Sequence, residues 1–215
     1  MKCRPVMVSY GIHLNTVLFP ISLVELADSL EKKGYELSPA LPFPRPPGRV
    51  TGAGEIARKG KIVIQVDAIA QVLGIVGISI QSALDCFGEI ASMLTEDHGI
   101  NIANLARFYS FTATHEIPTD KHAYETIARN LKVPILDDFS KTLKEEMWPF
   151  GLNFAGAGLR ANSENWLDIS IRPSYERDGL YVIVVVYRNN DKAKTEEFMG
   201  TYEEKITKII ELIDR

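Results

Sequence analysis

Cysteine is nearly missing from this chain: Cys3 and Cys86 are the only two in 215 residues. They lack the paired spacing of a metal or redox motif, so the sequence encodes neither a disulfide framework nor a zinc module. An excess of positive charge is missing too. Lys and Arg number 24 against 28 Asp and Glu, a formal charge of -4. The whole molecule therefore does not attract polyanions, and a nucleic-acid site would need a local basic patch. No long apolar run is present either. The most apolar region, residues 68–84, is interrupted by Gln71, Ser79, Gln81 and several glycines. It reads as a buried strand followed by a helix face, not as a membrane span. The start, Met1-Lys2-Cys3-Arg4-Pro5, lacks the apolar stretch and small-residue cleavage site of a signal peptide. A reducing cytoplasmic setting is the expectation.

What the chain does have is a repeat. Val50-Thr51-Gly52-Ala53-Gly54-Glu55-Ile56-Ala57 returns half a chain later as Phe154-Ala155-Gly156-Ala157-Gly158-Leu159-Arg160-Ala161. Each copy then passes a polar turn and enters an alternating strand, Lys61-Ile62-Val63-Ile64-Gln65-Val66 in one half and Trp166-Leu167-Asp168-Ile169-Ser170-Ile171 in the other. A duplicated hairpin predicts two related halves, residues 1–100 and 101–215, joined in one unit with Gly52 matching Gly156.

The remaining pattern has the same order in both halves. Residues 6–19 read as a strand bent at Gly11, and Ser22 and Glu25 have the spacing of a capping box ahead of a helix ending near Gly34. Residues 39–48 hold five prolines, and Pro42-Phe43-Pro44-Arg45-Pro46-Pro47 resembles a ligand for proline-recognition modules. A strand follows at 72–76. The helix at 79–98 carries Phe87, Ile90 and Leu94 on its apolar stripe and stops at Gly99. In the second half, a strand at 105–114 leads to a helix capped by Thr119 or Asp120. A short extra helix at 138–148, the second hairpin, a strand at 180–187 and a final helix bearing Ile206, Ile209 and Ile213 complete it.

This strand, helix, three strands, helix order resembles the repeat of the TATA-box-binding protein fold, and Gly60-Lys61-Ile62-Val63 resembles a Gly-Lys-apolar-Val step of that family's first hairpin. The chain departs from the family at Val66-Asp67-Ala68, and its second half has Asn165-Trp166-Leu167-Asp168 in place of the step. The resemblance implies a curved antiparallel sheet shared by two halves, with helices on its convex side.

Several residue groups invite chemistry. His115, Glu116 and His122 flank a helix start but lack the helix-face spacing of zinc ligands, so no metal is expected. The Gly-Ala-Gly runs precede strands rather than helices and read as points of sheet curvature, not phosphate loops. Asp137-Asp138 and Glu145-Glu146 could pair carboxylates for acid/base work, but Asp138 reads as a helix cap and the glutamates as a solvated face; Cys86 reads as a small core residue. No nucleophile, base and acid occur in a recognisable order, and no cofactor motif is present. The basic residues Arg58, Lys59 and Lys61, with Arg160 and Arg172 in the other half, cluster around the hairpins as a candidate rim for a partner or for phosphates. Phe108, Tyr109, Phe111 and Tyr187 are available to stack on bases.

The expectation is an α+β protein: a curved antiparallel sheet from two pseudo-twofold related halves, with helices packed on one face. Its expected role is non-catalytic binding of a protein partner, or self-association, through the exposed sheet face or rim. The alternatives are a small-ligand or enzymatic pocket between sheet and helices, as in helix-grip folds, and weak nucleic-acid binding.

Overall fold

In chain order the elements are β1 (Arg4–Leu14), α1 (Leu23–Lys32), β2 (Glu36–Leu37), β3 (Ala53–Lys59), β4 (Ile62–Asp67), β5 (Val72–Gly77), α2 (Ile80–His98), β6 (Ala106–Pro118), α3 (Ala123–Asn130), α4 (Ile135–Leu143), β7 (Leu152–Ala155), β8 (Trp166–Pro173), β9 (Leu180–Asn189) and α5 (Lys192–Ile213). The computed structural model describes residues 4–39, 53–131, 133–157, 160 and 163–214. The described residues form one open, curved antiparallel sheet in the order β2-β3-β4-β5-β1-β6-β9-β8-β7. Read outward from the central β1–β6 pair, each side repeats one connectivity: β5, β4, β3 on one flank and β9, β8, β7 on the other.

Alternation in the long strands sorts side chains between two faces. In β6 and β9 every second residue is fully buried and its neighbours are half-buried, as with Phe111, Ala113, His115 and Ile117 against Ser110, Thr112, Thr114 and Glu116. The buried face meets α1, α2, α3 and α5 in one continuous core. Tyr10 packs edge-on against Phe87 of α2, and Phe111 against Tyr202 of α5.

The helix ends follow their local chemistry. The Ser22 hydroxyl accepts from the Glu25 N–H, and the Ser79 hydroxyl from the Ser82 N–H. Gly99, at φ +68, closes α2 in the left-handed conformation that glycine adopts without strain. Asp191 caps α5 through the N–H groups of Ala193 and Lys194. Counted from their caps, Ala83, Phe87, Ile90 and Leu94 of α2 match Thr195, Met199, Tyr202 and Ile206 of α5, and all are buried. The counterparts of Phe87 and Ile90 are therefore Met199 and Tyr202, whereas Ile206 corresponds to Leu94 and Ile209 is only half-buried.

Other local expectations shift. Gly11 is not a bend: β1 pairs through it on both sides, and the register slips fall at Pro5/Met7 and His13/Leu14. Gly54 lies within β3 opposite Val66, while Gly156 follows β7 at the mouth of the long connection 156–165. Gly54 and Gly156 thus occupy different places in their hairpins, because the β3–β4 turn is closed by Gly60 and Lys61 alone. Gly52, Gly158 and the proline-rich residues 40–48 lie outside the described residues. Helix α3 starts after His122; the Thr119 hydroxyl lies ahead of it, accepting from the Lys121 N–H and donating to Asp214. Helix α4 begins after Pro134 and ends where Lys144 turns left-handed, so Asp138 sits in its first turn and Glu145 and Glu146 lie beyond it.

Candidate binding surface

The face of the sheet away from the helices carries no described helix. Strand register lays its side chains in rows. One row runs Arg58, Val63, Val76, Ser9, Thr112, Val186, Asp168. The next runs Gln65, Gly74, Gly11, Ser110, Arg188, Trp166. Half-buried valines flank its middle, Val63, Val72 and Val76 on one side and Val182, Val184 and Val186 on the other, with Ser9, Ser110, Thr112 and Thr114 of the central β1–β6 pair between them. Short β-branched side chains stiffen the pleat and leave the surface shallow.

Opposed Gly11 and Gly74 deepen it locally. They floor a trough of about 290 Å³ edged by Ser9, Ser110, Gln65 and Asp67. A Cβ on Gly11 would come within 3.1 Å of the Ser110 Oγ and 3.4 Å of the Leu73 carbonyl oxygen, so a side chain there would have to displace the Ser110 hydroxyl by a few tenths of an ångström.

Beside the trough, His13 Nε2 and Ser110 Oγ share a hydrogen bond of 3.2 Å, and the His13 ring stacks on Phe108 with centroids 4.0 Å apart. The guanidinium groups of Arg107 and Arg188 each lie 5.9 Å from the Phe108 ring centre. Burial first, and then these two cations, push the His13 pKa down to about 4, against the opposing pull of Asp67. The imidazole is neutral at pH 7. Asp67 turns away from it, its Oδ1 accepting from the Ile69 and Ala70 N–H groups, so Ser110, His13 and Asp67 do not form a nucleophile relay.

The candidate rim does not form one patch. Arg58 faces the open side and pairs with Glu55 at 2.7 Å. Its neighbour Lys59 places its Nζ 3.3 Å from Glu89 and over the Tyr35 ring. Lys61 is exposed at the same hairpin turn. Arg160 lies in the β7–β8 connection, whereas Arg172 sits near the far end of β8, its guanidinium over Tyr175. Of the four aromatics, Tyr109, Phe111 and Tyr187 point to the helices and only Phe108 belongs to the open face. His115, Glu116 and His122 diverge as well. His115 is buried against the Tyr202 hydroxyl, Glu116 meets Arg177 at 2.6 Å on the opposite face, and His122 pairs with Asp178 in solvent. Among the described residues no group of His, Cys, Asp or Glu is placed to hold a metal ion, and no helix is long and apolar enough to cross a membrane. Cys86 is buried, and burial raises its thiol pKa.

His13, Arg107, Trp166 and Arg188 were missed from the sequence. Arg188 carried a signal, since it continues the outward alternation of Val182, Val184 and Val186. The meeting of His13 with Ser110 carried none, because it depends on pairing β1 with β6. No protein-family model matches the chain, and no curated protein matches it.

Proposed function

We propose that the chain is a non-catalytic binding protein that docks a protein partner, a second copy of itself included, on the open face of its sheet. The observation that carries this reading is two half-buried valine clusters on a face with no described helix, set either side of a central hydroxyl stripe and a glycine-floored trough able to take a partner's side chain. Apolar clusters left open and rimmed by polar residues mark interaction sites. The mixed charge of the face, Arg58, Arg172 and Arg188 against Glu55, Asp67, Glu116 and Asp168, suits a protein better than a polyanion. Packing of Tyr10, Phe87, Phe111 and Tyr202 between sheet and helices favours this reading over a ligand pocket there. The element order resembles that of the TATA-box-binding fold, and this resemblance, which implies helices on one side of the sheet, supports reading the other side as the binding surface. The free thiol of buried Cys86 fits a reducing, cytoplasmic setting.

Capture from cell extract with the tagged full chain tests it, comparing wild type with Val184→Arg and Val76→Arg. The reading expects one partner, or the untagged chain itself, to be retained by wild type and lost by both variants while their melting temperatures hold. Retention unaffected by either arginine would overturn it.

A further inference from the structure

A second surface lies at the β7 end of the sheet. Helix α4 buries none of its residues, and Ile135, Phe139 and Leu143 stand exposed on it. Next to it, four exposed rings follow one another: Trp148 to Tyr124 at 6.1 Å, Tyr124 to Phe150 at 5.7 Å and Phe150 to Tyr175 at 4.9 Å between centres. Arg172 closes the row, 5.2 Å from the Tyr175 centre. At the Trp148 end the row opens into a groove of about 420 Å³, whose lining includes Leu136, Asp137, Ser140, Glu146 and Met147.

We propose that this aromatic row and groove form a docking site for the proline-rich segment, residues 42–47, of a second copy of the chain. Aromatic-lined grooves bind polyproline II strands, whose low conformational entropy makes shallow contacts sufficient. One turn of such a strand takes three residues and advances about 9 Å, within the span of three successive rings. Pro44 and Pro47 stand one turn apart and so share a face. Charge agrees: residues 40–52 carry Arg45 and Arg49 and no acid, and the groove presents Asp137 and Glu146.

Chain length assigns the segment to another copy. It leaves the fold beside β2 and returns at β3, at the opposite end of the sheet from β7. Seven strand spacings separate β3 from β7, about 34 Å at the usual interstrand distance. Pro46, midway between Pro39 and Ala53, is seven residues from each, which fully extended reaches about 25 Å. A twofold-related pair can satisfy both segments at once, giving a closed dimer.

Sedimentation of the full chain tests this, together with titration of a synthetic peptide of residues 38–53. Expected are a wild-type dimer, and monomers for Trp148→Ala, for Tyr124→Ala and for a variant with Pro42, Pro44, Pro46 and Pro47 all changed to Ala. That last variant, with its aromatic row intact, should bind the wild-type peptide and quench tryptophan fluorescence. Adding Trp148→Ala should weaken binding by at least about tenfold, as for a central aromatic contact. Near-ultraviolet circular dichroism checks that each variant folds. A wild-type chain monomeric up to about 1 mM, where only negligible affinity remains, would overturn the proposal. So would a dimer indifferent to Trp148→Ala, or a peptide that binds equally well with its prolines replaced by alanine. Val184→Arg tests the open face separately: loss of the dimer there, with Trp148→Ala silent, overturns this site and leaves the open-face reading standing.

Discussion

Tyr10 and Phe111 stand directly opposite each other across the β1–β6 ladder, and each meets an aromatic ring of a different helix, Phe87 at 5.0 Å and Tyr202 at 4.8 Å. The two flanks of the sheet are joined at this pair. The partners differ in one respect: the Tyr10 hydroxyl is fully buried without a hydrogen-bond partner among the described residues. Burying an unsatisfied hydroxyl costs about 1–3 kcal/mol. Tyr10→Phe is therefore expected to leave the denaturant midpoint unchanged or to raise it, and Phe111→Ala to lower stability by about 3–5 kcal/mol. A clear loss of stability in Tyr10→Phe would show that the hydroxyl is bonded in solution.

Phe87 anchors the other contact of that pair and is buried between α2 and β1. Phe87→Ala should cost about 3–5 kcal/mol, read from the shift in urea midpoint at constant slope.

Gly11→Val should fill the trough on the open face and force apart the Ser110 hydroxyl and the Leu73 carbonyl that a Cβ meets there. Overpacking of this kind costs about 1–3 kcal/mol. Gly74→Ala, whose Cβ meets nothing closer than the Gln65 carbonyl at 4.0 Å, is expected to be tolerated, and thermal melts of the two variants compare them directly.

Two histidines should make the fold acid-sensitive. Burial lowers the pKa of both His13 and His115, so each binds a proton more readily in the unfolded chain. Their contribution is complete above the ordinary value of 6.5 and is lost as pH falls, for His13 through about 4. His122 has the opposite sign, its pKa raised by Asp178, but the pair lies in solvent where salt screens it. Urea midpoints taken between pH 7.5 and 4.5 should fall steadily, and His13→Gln should flatten the slope.

Nucleic acid should bind weakly and without sequence preference. At about 150 mM salt, duplex and single-stranded DNA are expected to show dissociation constants no tighter than about 10⁻⁵ M. Replacing Arg58, Lys59 and Lys61 together should change little, because Arg58 and Lys59 are already paired with Glu55 and Glu89. Nanomolar binding of one duplex at that salt would reverse the ranking of partners.

Local chemistry was legible in the residues themselves. Ser22, Ser79 and Gly99 mark helix ends because a hydroxyl beside free N–H groups, or a residue tolerant of positive φ, acts within one turn of chain. Alternation in β6 and β9 announces two unlike faces, since successive strand residues point to opposite sides. The order of elements in each half foreshadowed the shared sheet. Tertiary structure alone decided what meets across it. His13 reaches Ser110, Arg58 finds Glu55 while Lys59 finds Glu89, and Tyr109 and Phe111 turn inward, because strand pairing and register set these neighbours. The amphipathic pattern of α4 predicts a buried stripe, yet Ile135, Phe139 and Leu143 remain exposed. Periodicity fixes that a helix has an apolar side; which surface covers it depends on how separate parts of the chain, or separate chains, come together.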